Sequence, residues 1–220
     1  MINWQHLPSH AEYIEAVPWP HCIVDDFLSP VHVEEINRQW PAESDPHWKR
    51  EKNKTSIKWC MPGNLPPAAQ SAVETLTSPY ALNRLSELTG IPNLITSQNA
   101  TDGGGLHCIP SGGYLKKHID YNQLKNTQLY RRLNLLLYLN EQWQESWGGE
   151  LTLYGRINRI VPPVAGRVAI FSTGEHSYHG HPEPLTCPPD VQRRSLALYY
   201  YTTEPPADWT GKRHTTVYKR

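Results

Sequence analysis

Apolar positions in the second half of the chain recur in short runs separated by glycine, proline and asparagine. The runs LHCIP, YLKKHID, RRLNLLLYLN, GELTLYG, RVAIFST and RRSLALYYYTT predict a sandwich or barrel of short strands from Pro92 onward. LNLLLYL and RSLALYYY are apolar on both faces, so they are expected as central strands covered on each side. The first half reads differently. HCIVDDFLSP predicts a short strand leading into a helix, with Ser29 as N-cap, Pro30 at the first helical position and Glu34 and Glu35 in the opening turns. That helix should run through Trp40 and stop at Pro41. Two more helices are expected near 66–77 and 79–89, the second closed by Gly90. Residues 42–66 are polar and irregular, which predicts either an active-site flap or a disordered connection. The C-terminal TEPPADWTGKRHTTVYKR reads as a polar tail. The expected organisation is one domain over 1–220: a helical preface to about 91, a β core over about 92–204 and a tail from 205.

Within this pattern, GGYLKKHIDYN at 112–122 places a histidine and an aspartate two apart where a strand would bury apolar residues. Side chains at i and i+2 of a strand share a face, so His118 and Asp120 look at one point while Ile119 looks away. One imidazole and one carboxylate aimed together make half of a metal site. A third ligand is available in EHSYHGHP, which holds His176, His179 and His181; spacing leaves the choice among them open. Two histidines and one carboxylate on one face form the facial triad of non-haem Fe(II) oxygenases, although the same groups suit Zn²⁺ in a hydrolase.

Composition narrows the classes. Lys+Arg 21 against Asp+Glu 21 gives a net charge of zero over 220 residues, so no global field draws the protein to nucleic acid or anionic lipid. One local exception is KREKNKTSIK at 49–58, five basic residues and one acid beside Trp48 and Trp59, which reads as a solvated loop or as a contact for a phosphate or carboxylate. Cys22, Cys60, Cys108 and Cys187 are scattered without a CxxC pair, and the N-terminus lacks a signal-peptide pattern, so a reducing cytoplasm is expected. No apolar run reaches the roughly 20 residues that span a bilayer.

The feature that separates an oxygenase from a hydrolase is RRSLALYYYTT, a strand that begins with paired arginines. A dicarboxylate that chelates iron through its keto-acid end needs its far carboxylate held, and the guanidinium fork suits that task. The two arginines must point to opposite faces. Arg193 shares its face with Ser195 and Ala197, which leave room for a ligand, whereas Arg194 shares its face with Leu196 and Leu198.

With these segments in one order, residues 92–204 resemble the iron and 2-oxoglutarate-dependent dioxygenases, specifically the prolyl-4-hydroxylase-like branch. GGYLKKHID resembles its ligand strand, RRLNLLLYLNEQWQESWGGELTLY its following hairpin, SYHGHP its distal-histidine strand and RRSLALYYYT its cosubstrate strand. The resemblance implies a mainly β, double-stranded β-helix (jelly-roll) core with N-terminal helices packed on one sheet. It implies His118, Asp120 and His179 as Fe(II) ligands, Arg193 as the anchor of the distal 2-oxoglutarate carboxylate and Tyr138 as a second donor to it. A hydroxyl-bearing residue is often found four positions after the arginine in this branch, and here that position is Ala197.

The activity implied is hydroxylation of an unactivated C–H bond with O₂ and 2-oxoglutarate, releasing succinate and CO₂, with ascorbate as a reductant. Asp120 favours hydroxylation over halogenation, because the related halogenases lack this carboxylate. Small-molecule, carrier-bound and peptidyl substrates all occur in the branch; no nucleic acid or membrane partner is expected. Trp48, Lys49, Arg50, Lys58, Trp59, His107 and Trp147 are candidates to flank the open face. The competing readings are a non-catalytic jelly-roll binding module and a zinc-dependent hydrolase.

Overall fold

In the computed structural model, which describes residues 1–219, the helices come first. Helix α1 (His10–Ile14) opens on a capping box in which Ser9 and Glu12 satisfy each other's backbone N–H groups. Strand β1 (His21–Val24) precedes α2 (Pro30–Arg38), which begins at Pro30 as expected and ends short of Trp40. Ser29 is the N-cap, yet its hydroxyl serves the Met1 amino group and His32 in place of a helix N–H.

The stretch 42–66 departs from expectation. Strands β2 (Lys49–Lys52) and β3 (Ser56–Met61) form an antiparallel hairpin there. It turns at Asn53, whose side-chain oxygen accepts N–H bonds from Thr55 and Ser56, so the polar residues that suggest an irregular loop are the ones that close the turn. Helices α3 (Pro67–Thr77) and α4 (Pro79–Thr89) follow, and Gly90 closes α4 in the left-handed conformation.

The remaining strands are β4 (Gly105–Ile109), β5 (Tyr114–Ile119), β6 (Tyr130–Tyr138), β7 (Leu151–Leu153), β8 (Arg159–Val161), β9 (Val168–Ser172), β10 (His179–His181), β11 (Arg193–Thr202) and β12 (Val217–Tyr218). They pair in the order β1-β9-β6-β11-β4-β3-β5-β10-β7-β8, with β2 added to β3 and β12 to β5. The tail is therefore not featureless: Val217 and Tyr218 pair with Ile119 and His118.

β3 carries the sheet around a corner, because its C-terminal half pairs with β4 and its N-terminal end with β5. Beyond the corner the sheet folds back on itself. Phe171 of β9 meets His179 of β10 edge to face at 4.9 Å, and Leu151, Leu153 and Val161 pack on Tyr138, Ala169 and Phe171. The result is a double-stranded β-helix.

β6 and β11 lie centrally, as their two-sided apolar pattern requires. Their outer face carries Leu133, Leu135, Leu137, Leu196, Leu198 and Tyr200, which share one core with Val33, Ile36, Val73, Leu76 and Leu85 of the helices. Each such leucine contributes about 1.5–3 kcal/mol by burial. Tyr200 also donates its hydroxyl to the Leu76 carbonyl at 3.0 Å, pinning α3 to the sheet. The helices thus cover one face, and the opposite face is free to build a site. No helix among the described residues is long and apolar enough to cross a membrane.

Candidate metal and cosubstrate site

His118 and Asp120 come from the end of β5 and His179 from the start of β10, where His179 sits directly opposite His118 in the ladder. Their ligand atoms all lie within 4.8 Å of one another, and among the described residues no other group of three His, Cys, Asp or Glu side chains converges in this way. Each imidazole is oriented by its own backbone. His118 Nδ1 bonds the Lys116 carbonyl and His179 Nδ1 the Ser177 carbonyl, both at 2.8 Å. Those bonds place the N–H on Nδ1 and leave Nε2 as the lone-pair donor in both rings. The two Nε2 atoms face the Asp120 carboxylate at 3.5 and 3.4 Å.

Burial pushes His179 down to about 4, so its ring is neutral at physiological pH, the form a metal requires. Burial alone would raise the Asp120 carboxyl, but Arg131, His179 and His118 together hold it well below the usual carboxylate range. Asp120 is ionised, and the donor set is two neutral imidazoles and one carboxylate.

The carboxylate is held from behind. Asn134 Nδ2 donates to Asp120 Oδ2 at 2.8 Å, Arg131 approaches the same oxygen at 3.1 Å, and Arg131 Nε–H donates to Asn134 Oδ1 at 2.9 Å. The Arg131 guanidinium is itself buried, lying 3.5 Å from the Tyr199 ring centroid. With Oδ2 occupied, Oδ1 is the oxygen left for a metal. A metal held by the two imidazoles and one carboxylate oxygen would keep room for a chelating keto acid and O₂.

Sequence reasoning misses this pair for a geometric reason. A strict two-residue alternation would put Arg132, not Arg131, on the face of Asn134. The pairing of β6 with β11 slips between Tyr200 and Tyr201, so that Leu133 and Arg131 take successive partners and Arg132 is skipped. The bulge brings Arg131 and Asn134 to one face.

A second bulge shapes the histidine strand. His179 pairs with His118 but His181 with Leu115, so three steps on β5 match two on β10. Gly180, at φ +157°, lies where an added Cβ would stand 2.8 Å from the Leu115 carbonyl oxygen and 2.9 Å from that of Lys116, both backbone atoms. Only glycine fits between the two histidines. His181 also reaches the cavity, but it stands outside the triad with both ring nitrogens buried and unpartnered. His176 is exposed and takes no part. Metal content should therefore be lost in His179→Ala and kept in His181→Ala; iron retained in the first and lost in the second would reverse the assignment.

Arg193 lines the same cavity. It is 5% exposed and forms no ion pair among the described residues; its Nε–H donates to the Gly149 carbonyl at 2.7 Å. Gly149, at φ +81°, leaves space where a Cβ would press on Leu185 at 2.6 Å and on the Arg193 stem at 3.0 Å. The guanidinium lies 5.1 Å from the Tyr138 ring centroid, and the Tyr138 hydroxyl is buried without a partner. Burial raises Tyr138, partly opposed by Arg193, so the phenol keeps its proton and can donate. Ser195 lines the cavity as well, placing a hydroxyl two residues after the arginine where position 197 offers only alanine.

Arg194 faces the other way. It lies over the Trp40 ring at 4.9 Å, near Asn37 of α2. A buried cation with no counter-charge and a buried hydroxyl with no acceptor are unfavourable unless an anion joins them. A dicarboxylate reaching from the triad to Arg193 satisfies both, so the chain fits Fe(II) and 2-oxoglutarate.

Of the residues expected to flank the open face, Lys58 and His107 line the cavity and Lys49 lines an outer groove. Trp48 is buried against Trp40 and Trp59, Arg50 lies over Trp59, and Trp147 packs with Trp143 beside Leu185. Those four serve the framework.

The 2OG-Fe(II) oxygenase superfamily matches residues 104–201, a span that contains the whole triad, Tyr138 and Arg193. No curated protein matches the chain in sequence. Among solved structures, a prolyl-4-hydroxylase of Pseudomonas putida is similar at 19% identity and TM-score 0.59, covering 88% of this chain and 98% of its own. A prolyl hydroxylase of Trichoplax adhaerens, solved with a hypoxia-inducible-factor peptide fragment, is 19% identical with TM-score 0.58, covering 82% and 83%. HygX of Streptomyces hygroscopicus, solved with nickel and 2-oxoglutarate, is 13% identical with TM-score 0.54, covering 83% of each chain. The fold, the triad and the family match agree over residues 104–201, the part of the chain that is similar to the 2OG-Fe(II) oxygenase superfamily.

Proposed function

We propose that the protein hydroxylates an unactivated C–H bond of a peptidyl substrate, consuming O₂ and 2-oxoglutarate and releasing succinate and CO₂, with ascorbate as the reductant that maintains Fe(II) and the cytoplasm as its setting. The observation that carries the reading is the pairing, in one cavity, of the His118, Asp120 and His179 cluster with an unpaired Arg193 and an unpartnered Tyr138 hydroxyl. A zinc hydrolase has no need of that second half. Nor does a binding module.

Bound Fe(II) and 2-oxoglutarate would supply the oxidising chemistry. The chain's own residues do the rest. His118 and His179 present Nε2, Asp120 presents Oδ1, and Arg131 with Asn134 stops the carboxylate from turning. Arg193 and Tyr138 fix the far carboxylate, which orients the keto acid toward the metal. Leu115, Leu136, Leu151 and Ile109 line the cavity with hydrocarbon and keep it dry.

A peptidyl substrate is supported by an open groove of about 860 Å³, lined by Lys49, Cys60, Pro62 and residues 99–103. Cys60 in the groove pairs with His107 in the cavity, and Gly103 lies against Tyr199. Two of the similar structures are prolyl hydroxylases, one of them holding a peptide. Succinate release across a library of peptides, amino acids and small acids tests the reading. One succinate per product gaining a single oxygen atom is expected; turnover of a substrate without 2-oxoglutarate would refute it.

A further inference from the structure

The basic segment KREKNKTSIK divides its side chains among different surroundings once it is folded as the β2–β3 hairpin. Lys52 and Lys54 are exposed, Arg50 is stacked on Trp59 at 4.9 Å, and Lys49 lines the outer groove. Lys58 alone enters the cavity that holds the triad and Arg193. Its side chain is only 22% exposed, and its nearest acid, Glu51 Oε2, is 3.9 Å away, too far for a hydrogen bond. The other oxygen of Glu51 is engaged by Ser56 and Asn53. Lys58 therefore enters the cavity with N–H donors to spare.

Across the same corner of the sheet, His107 Nε2 is buried and has no partner. Burial first, then the nearby charges of Lys58 and Arg193, pushes His107 down to about 3, so its ring is neutral.

The charges do not balance with the cosubstrate alone. Asp120 is compensated by Arg131, and a divalent metal cancels a dicarboxylate. Arg193 and Lys58 remain, opposed by the one carboxylate of Glu51, which Ser56 and Asn53 hold 3.9 Å from the Lys58 ammonium. The cavity keeps a net excess of positive charge, and Lys58 is the lysine that lines it.

Resting on the oxygenase reading above, we propose that Lys58 binds a carboxylate of the substrate, with His107 Nε2–H as a second donor, so that the enzyme selects acidic substrates. The ammonium is a point charge with three donors, suited to one carboxylate oxygen while the imidazole meets the other. The same contact fixes the distance between the acidic group and the C–H bond presented to the metal.

The test uses two probes that differ only in charge, N-acetyl-L-glutamate α-amide and N-acetyl-L-glutamine α-amide. Each is titrated into the protein loaded with Mn(II) and saturating 2-oxoglutarate, and binding is read from paramagnetic broadening of the probe's proton signals. The acid should bind at least ten-fold more tightly than the amide. Lys58→Met should bring the two within two-fold of each other, Lys58→Arg should restore most of the preference, and His107→Phe should reduce it. Equal binding of the two probes to the unaltered protein, weak or strong, overturns the proposal. So does a preference that survives in Lys58→Met. If Lys58→Met instead loses 2-oxoglutarate affinity by ten-fold or more in calorimetry, Lys58 is a cosubstrate residue and this proposal fails while the oxygenase reading stands. Absence of 2-oxoglutarate binding to the unaltered Mn(II) protein would sink that reading itself.

Discussion

Arg193→Ala is expected to weaken 2-oxoglutarate binding to the anaerobic Fe(II) or Mn(II) protein by a hundred-fold or more. The guanidinium is buried in the cavity without an ion pair among the described residues, so the carboxylate it meets is desolvated, and removing one member of such a pair costs roughly 3–5 kcal/mol. Tyr138→Phe removes one hydroxyl donor to a charged acceptor and should cost about 1.5–3 kcal/mol. Arg194→Ala should bind as the unaltered protein does, because that side chain lies outside the barrel over Trp40. Calorimetric titration of the three variants should give that order. Loss of binding in Arg194→Ala and not in Arg193→Ala would mean that the opposite face of β11 lines the site.

Arg131→Leu should be the most damaging single change to the metal-free protein. It leaves the buried Asp120 carboxylate without the cation that lies 3.1 Å away, a loss of roughly 3–5 kcal/mol. At this chain length each kcal/mol lowers Tm by about 2–4 °C. A divalent ion supplies positive charge to the same carboxylate, so the deficit should shrink in the presence of Mn(II). Removing both charges, as Asp120→Asn with Arg131→Leu, should recover part of the stability.

The sign of the pH effect follows from Asp120, whose carboxyl is held below its usual range by Arg131 and the two histidines after burial has opposed them. A depressed carboxyl contributes stability that is complete above the ordinary carboxylate pKa of about 4 and is lost as pH falls through the folded value. The unaltered metal-free protein should lose this contribution on acidification. Arg131→Leu should lose much less, because little depression remains. Thermal scans with and without Mn(II) over acid to neutral pH measure both effects, and equal pH slopes in the two proteins would contradict the ion pair's role.

How much of this the sequence discloses depends on how local the determining physics is. Strand alternation places His118 with Asp120 and separates Arg193 from Arg194; the ligand atoms of His118 and Asp120 do converge, with Asp120 one residue past the end of β5, and β11 is regular over Arg193–Leu198. Pro30, Gly90 and the two-sided apolar strands mark helix ends and central strands in the same local way. Periodicity fails where the register slips. Arg131 joins Asn134 only through the bulge beside Arg132, and His181 enters the cavity opposite a second bulge at Gly180. Composition fails at 42–66, where Asn53 closes a hairpin in a stretch that reads as a loop, and at Val217 and Tyr218, which become a strand only because the end of β5 is there to pair with. The choice of His179 among three histidines came from the resemblance. The ladder, which sets His179 against His118, supplies its physical reason.

The central claim is that one cavity holds iron through His118, Asp120 and His179 and 2-oxoglutarate through Arg193 and Tyr138. Anaerobic addition of 2-oxoglutarate to the Fe(II)-loaded protein tests it most directly, since chelation of Fe(II) by the keto acid gives a weak visible charge-transfer absorption. That absorption should appear in the unaltered protein, saturate at one equivalent and require far more 2-oxoglutarate in Arg193→Ala. Fe(II) bound at full occupancy with no new absorption at saturating 2-oxoglutarate would contradict it.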